Sequence, residues 1–188
     1  MPEITVDTVE RFYGILAMVA IGVIIIIGGL RFLAIGSDGA LDAYAALARH
    51  LEPRAMAIAW VVAVLATGGS LYFSQVAGFT PCTLCWYQRI AMYPFVILLG
   101  VATLRRRSVT GAAALAAVGA AVSAYHVALE WVPSLDTGAC SLDVPCTLVW
   151  FRAFGIFSLP TLALVAFLLI LTLLLVRDPD EAEDRRYR

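Results

Sequence analysis

Five long stretches of this chain are apolar and almost free of charge. Phe12 to Leu30, Ala55 to Gly78, Ser108 to Leu129 and Ala153 to Val176 contain no Asp, Glu, Lys or Arg, and Pro81 to Leu104 contains only Arg89. Each is near the roughly 20 residues that a helix needs to cross a hydrocarbon core of about 30 Å. The runs are too long for strands and apolar on every side, as helices in lipid are. Five spanning helices are predicted. Between the first two, Ser37 or Asp38 can cap a short helix whose Leu41, Tyr44, Ala45, Ala48 and Leu51 fall at helical spacing, which reads as a cytoplasmic interfacial helix. The third is expected to start with Thr80 as N-cap and Pro81 as its first residue. The fourth carries small residues at i, i+4 (Ala112/Ala116, Gly119/Ser123, Ala120/Ala124), a spacing that lets helix backbones approach closely in lipid.

Composition agrees with an all-α integral membrane protein. The 188 residues are 62% hydrophobic and 14% charged, with a mean hydropathy of +0.89, whereas soluble domains have about 25% charged residues. The first run follows an acidic segment (Glu3, Asp7, Glu10) and exceeds the usual signal-peptide core of about 7 to 15 residues, so it reads as a retained helix. A net charge of −1 gives no reason to expect a nucleic-acid partner. The distribution of charge is more informative. All 13 cationic residues are Arg, and nine of them are grouped at Arg49 and Arg54, at Arg105 to Arg107, and at Arg177, Arg185, Arg186 and Arg188. The positive-inside rule puts these groups in the cytoplasm. Alternation of the helices then places the N-terminus outside and every cysteine on the outer side.

The four cysteines form two local pairs, Cys82/Cys85 and Cys140/Cys146. Bonds that local would staple little of the fold, but they suit exchangeable dithiols, since exposed or strained disulfides react readily. Cys85 sits near a helix start with Arg89 one turn on, and both dipole and cation favour its thiolate. An arginine inside a spanning segment itself points to function. Zinc is the rival for four cysteines, but the x₅ spacing of Cys140 and Cys146 departs from the usual two to four, so no metal is expected. His126 reads either as a buried imidazole bonded to a neighbour such as Tyr125 or Ser123, or as a partner of a redox ligand. Gln88 could serve a ligand or another helix, Glu130 with Trp131 reads as outer interface, and His50 as an exposed residue.

The string Pro81-Cys-Thr-Leu-Cys-Trp-Tyr-Gln-Arg89, followed by Tyr125-His126, by Cys140 and Pro145-Cys146, and by Phe154-Gly-Ile-Phe-Ser-Leu-Pro160, resembles the DsbB family (disulfide bond formation protein B), and most of all its short-loop BdbC branch. The resemblance runs from about Ala55 to Val176. It implies a four-helix transmembrane bundle, here with one additional N-terminal helix, that oxidises a DsbA- or BdbD-like thioredoxin-fold partner outside the bacterial cytoplasmic membrane and passes the electrons to ubiquinone or menaquinone. By position it implies Cys85 as the thiolate facing the quinone, Cys82 as its disulfide partner, and Arg89 as the quinone-side cation, with His126 and Gln88 nearby. Cys140 would form the mixed disulfide with the partner and Cys146 would relay to Cys82. The implied organisation is an N-terminal extension over 1–52, the membrane domain over 53–177 and a charged tail over 178–188. Two alternatives stand beside this reading. A vitamin K epoxide reductase-like enzyme is one, although in that family the loop pair precedes the C-x-x-C; a membrane structural or metal-binding protein with static cysteines is the other.

Overall fold

In a computed structural model of the chain, residues 5–105, 109, 111–136, 138–141 and 143–176 are described. The described residues form an all-helical bundle: α1 (Val6–Leu33), α2 (Asp38–Leu71), α3 (Thr83–Arg105), α4 (Ala112–Trp131) and α5 (Leu159–Leu175). A π-helical turn, Tyr72–Val76, follows α2, and a 3₁₀ turn, Pro133–Leu135, follows α4. Arg106, Arg107, Arg177 and the expected tail over 178–188 lie outside the described residues.

The helices α1 to α4 are each long and apolar enough to cross a membrane. The fifth is shorter than the run that predicted it. Its first residues are taken by a tight turn in which Phe154 (φ 53°) and Gly155 (φ 77°) are both left-handed and the backbones of Ala153 and Phe157 exchange hydrogen bonds of 3.0 Å. Helix α5 then starts after Ser158, with Pro160 in its first turn. Its 17 residues span about 26 Å at 1.5 Å per residue, at the lower end of what a bilayer requires.

The interfacial helix expected over residues 37–51 is not a separate element. It forms the first turns of α2, a continuous helix of 34 residues that contains Pro53. Pro53 adds no N–H to the helical ladder, and in the same turn the Arg54 guanidinium donates to the His50 carbonyl at 3.1 Å. The expected apolar face is real: Tyr44, Ala45 and Ala48 are buried, with Tyr44 and Ala48 packed with Ile27 of α1 and Val176. The boundary expected at residues 52 and 53 therefore falls inside a helix.

Lipid tails are as apolar as leucine, so packing and interhelical hydrogen bonds, rather than escape from water, hold such a bundle together. Helix α5 is central, packing on α4, α2 and α1, while α3 packs on α2 and α4. Phe95, Leu99, Phe167 and Ile170 are fully buried among the small residues Ala59, Ala63 and Ala116. The small-residue face of α4 works as predicted at Ala112, Ala116, Gly119, Ala120 and Ser123, all of which are buried. At Gly119 a Cβ would overlap the Phe167 ring. Similarly, the Trp60 ring lies over Gly100, with its Nε1–H donating to the Val96 carbonyl at 2.9 Å.

The ends of α2 and α4 and the starts of α1, α3 and α5 meet at one end of the bundle, together with the loop from Val132 to Ala153. Both cysteine pairs lie there.

Candidate functional site

The chain turns from α2 into α3 through Gly78 (φ 75°) and Pro81. Helix α3 begins at Thr83, two residues later than expected, which makes Cys82 its N-cap. The Cys82 carbonyl accepts from the Trp86 N–H at 3.2 Å, and the Cys82 sulfur accepts from the Cys85 N–H at 3.3 Å. The sequence reading put the helix-start dipole on Cys85; the N–H bond at that start is accepted by the Cys82 sulfur. Helix N-termini favour anions, and the Cys82 Sγ donates to the Cys85 Sγ at 2.9 Å. Both cysteines are free thiols in the structure, and Cys140 and Cys146 are disulfide-bonded.

The short loop reaches the C-x-x-C pair by folding down onto α4. The Tyr125 hydroxyl donates to the Leu135 carbonyl at 3.1 Å, and His126 Nε2 lies 3.1 Å from the Cys146 carbonyl. In between, the Ser141 side chain accepts from the Val144 N–H at 3.3 Å, and the Leu148 N–H closes a turn on the Pro145 carbonyl at 3.1 Å. Cys146 is buried at 1% exposure, while Cys140 is half-buried. The sulfurs of Cys82 and Cys146 and a ring nitrogen of His126 all lie within 4.8 Å of one another. These three atoms resemble a partial metal site, but in its disulfide Cys146 has no thiolate to give a metal.

The geometry fixes the proton on His126. The Cys146 carbonyl can only accept, so Nε2 carries the hydrogen and Nδ1 accepts from the Gln88 amide nitrogen at 3.2 Å. The same Nε2 is 3.7 Å from the Cys82 sulfur. Neither Tyr125 nor Ser123 is the partner of His126; the Ser123 hydroxyl instead donates back to the Gly119 carbonyl at 2.8 Å. Gln88 and His126 are both buried, so their mutual bond satisfies groups that water cannot reach.

Behind the sulfurs lies a cavity of about 450 Å³ between α1, α2, α3 and α5, with overwhelmingly apolar walls. Cys85, Gln88 and Arg89 line its cysteine end; Cys82 and His126 do not line it. The Arg89 guanidinium donates to the Ser70 carbonyl at 3.1 Å and lies 5.2 Å from the centre of the Trp86 ring. Ser70 is at the end of α2, where the helix widens into the π turn, a feature frequent at functional sites. Phe73, Phe79 and Trp150 close this end, with Phe79 stacked on both others at ring distances of 5.9 and 4.7 Å.

One residue read as outer interface is built into the site. The Glu130 side chain is 1% exposed, 3.9 Å from the Arg152 guanidinium, and it accepts from the Ser158 hydroxyl at 2.6 Å. It lines a small void of about 10 Å³ beside Cys82, Cys85 and His126. Its position at the end of an apolar helix gave no sign of this, because the partners come from the loop and α5. His50 is exposed, as expected.

Comparison with known proteins agrees with this arrangement. The family profile of "Disulfide bond formation protein DsbB" matches residues 52–177. "Probable disulfide formation protein C" of Bacillus cereus is 44% identical over 119 residues, 62% of this chain and 86% of the relative. "Disulfide bond formation protein C" of Bacillus subtilis is 41% identical over 127 residues, 66% of this chain and 92% of the relative. No solved structure matches. A multi-pass helical bundle with a partly buried C-x-x-C beside a loop disulfide, and a profile match over most of the chain, show that this membrane protein belongs to the DsbB family of disulfide bond formation proteins.

Proposed function

We propose that the protein is a quinone-dependent thiol oxidase of the bacterial cytoplasmic membrane, which reoxidises a DsbA- or BdbD-like thioredoxin-fold oxidase on the extracytoplasmic side. The observation that carries this reading is a continuous path of sulfur. Half-buried Cys140 is bonded to buried Cys146, the Cys146 sulfur is within 4.8 Å of Cys82, and Cys85, 2.9 Å beyond, lines the apolar cavity.

On this reading the partner's thiolate attacks Cys140, the bond to Cys146 breaks, and Cys146 takes the electron pair. The partner's second thiol displaces Cys140, so the partner leaves oxidised and the loop pair is reduced. Cys146 then attacks Cys82 of an oxidised Cys82–Cys85 pair, and Cys85 leaves as thiolate. Cys140 closes back on Cys146 and releases Cys82. The result is an oxidised loop pair and a reduced C-x-x-C. His126, bonded to the Cys146 carbonyl, holds the loop over Cys82, and its Nε2–H faces the Cys82 sulfur as charge collects there. Cys82, at the helix start, finally closes on Cys85 as two electrons and two protons leave towards the cavity.

A quinone fits the residues present, because the cavity is apolar along its length and polar at the end where Cys85, Gln88 and Arg89 meet. Bound there, it supplies a two-electron, two-proton sink that dissolves in lipid. Gln88 and Arg89 would hold its oxygens. The test is to mix purified protein with a quinone and a reduced thioredoxin-fold oxidase. Quinol formation that needs Cys85 is expected; no quinol, or a Cys85→Ser variant as active as wild type, would sink the proposal.

A further inference from the structure

Helix α1 lies outside the segment matched to the family, which begins at residue 52. Even so, Tyr13, Leu16, Ala17, Val19, Ala20 and Val23 of α1 line the cavity that ends at Cys85. The helix is fitted to the bundle at both ends. The Tyr13 ring lies on Gly69 so closely that a Cβ there would be 2.6 Å from it, and its hydroxyl donates to the Leu65 carbonyl at 3.0 Å. At Gly14 a Cβ would meet the ring of Phe154 at 2.9 Å, and that ring is carried by a left-handed residue of the turn before α5. At the other end Arg31 donates to the Leu175 carbonyl at 3.1 Å and to the Tyr44 hydroxyl at 3.2 Å. On α2 the lining runs from Leu51 to Ser70 and continues to Ser74 in the π turn. That stretch is roughly 30 Å long at about 1.5 Å per residue. The cavity is therefore a slot along the bundle, walled on one side by a helix the family match does not include.

We infer that α1 is the lipid-side wall of a binding slot for the polyprenyl tail of the quinone, and that it determines how tightly, and with what tail length, the quinone is held. This rests on the function proposed above. An apolar tail gains nothing from leaving lipid for an open apolar groove, since the two are equally greasy. Affinity and length selectivity need close packing on all sides, and α1 supplies the side that α2 and α5 leave open. Ala17 and Ala20, small and buried on this wall, leave the width for a chain.

The test compares Ala17→Phe and Ala20→Phe, which narrow the slot, with Ile26→Phe, which adds a similar bulk on the exposed face of α1. Two readouts need no turnover: quinone retained through purification, measured after extraction, and the rise in Tm on adding a long-tailed quinone or a tailless analogue. The narrowed variants should retain long-tailed quinone about tenfold less well and lose its Tm shift, yet keep the shift with the tailless analogue; Ile26→Phe should match wild type. Undiminished retention in both narrowed variants would overturn the inference. Photolabelling of wild type with a quinone azido-tagged on its tail guards against variants that misfold. Label within Leu16 to Val23, removed by excess untagged quinone, is expected, and competed label confined to other helices would refute the wall. Should wild type neither retain nor respond to any quinone, the proposed function itself fails, which is a different result from loss in the α1 variants alone.

Discussion

The two sulfurs of the C-x-x-C pair are 2.9 Å apart, yet of the two residues only Cys85 also lines the large apolar cavity. Around Cys82 the packing is tight: the Cys146 sulfur, the His126 ring and a void of about 10 Å³. Beyond Cys85 lies the apolar slot of about 450 Å³ with Arg89 and Gln88 at its end. Exchange with another cysteine of the same chain needs fixed sulfurs in a packed setting. Exchange with a ligand that comes and goes through lipid needs room. On the proposed function, one helical turn would let a single dithiol serve both.

The comparison is broken most completely by removing either sulfur. Cys82→Ser and Cys85→Ser should each lower quinone-linked turnover by about 10³-fold or more, but stopped-flow thiol assays should separate them. Cys85→Ser should still exchange Cys82 with the loop pair, and Cys82→Ser should not. Next comes Arg89→Leu, which strips the slot of its cation. Loss of a charged hydrogen-bond partner is worth about 1.5–3 kcal/mol, so the apparent KM for quinone should rise roughly tenfold to a hundredfold, with oxidation of the partner by the loop pair unchanged in a single turnover. His126→Phe acts on the other side. It leaves the Gln88 amide and the Cys146 carbonyl without their partner, so transfer between the pairs should slow about tenfold while the KM for quinone stays close to wild type. Glu130→Ala should have the smallest effect on chemistry. It removes the acceptor that ties Ser158 and Arg152 to α4 and should cost about 1–3 kcal/mol of stability, read as a lower Tm with the same cysteine pairing.

Much of this was legible in the sequence because lipid imposes simple rules. Charge-free runs of spanning length gave the helices, and small residues four apart gave the packing face of α4. Cys82, Cys85, Gln88, Arg89 and His126 lie close together; spacing alone put Arg89 one turn from Cys85, whereas the readings of Gln88 and His126 stayed open between a ligand and a neighbouring group. What the sequence hid depends on contacts between distant segments. The start of α3 moved to Cys82 because Pro81 lies outside the helix and the cysteine sulfur itself caps the first turn. The seating of Cys146 depends on His126 and Tyr125 gripping a loop whose described residues hold no helix beyond a 3₁₀ turn. The junction of the interfacial segment with the second span depends on a helix that continues through Pro53. Glu130 is buried only because Ser158 and Arg152 come to it, and the slot exists only because Tyr13 and Gly14 seat α1 on its neighbours.

The central claim is that Cys82, and not Cys85, receives electrons from Cys146. It is tested most directly with two double variants that leave one pair of cysteines each. In Cys85→Ser/Cys140→Ser, mild oxidation followed by mass-spectrometric mapping should give an intramolecular Cys82–Cys146 disulfide in high yield, because these sulfurs lie within 4.8 Å. In Cys82→Ser/Cys140→Ser the same treatment should leave Cys85 and Cys146 largely reduced. Equal yields, or a Cys85–Cys146 bond forming in preference, would contradict the division of labour between the two sulfurs.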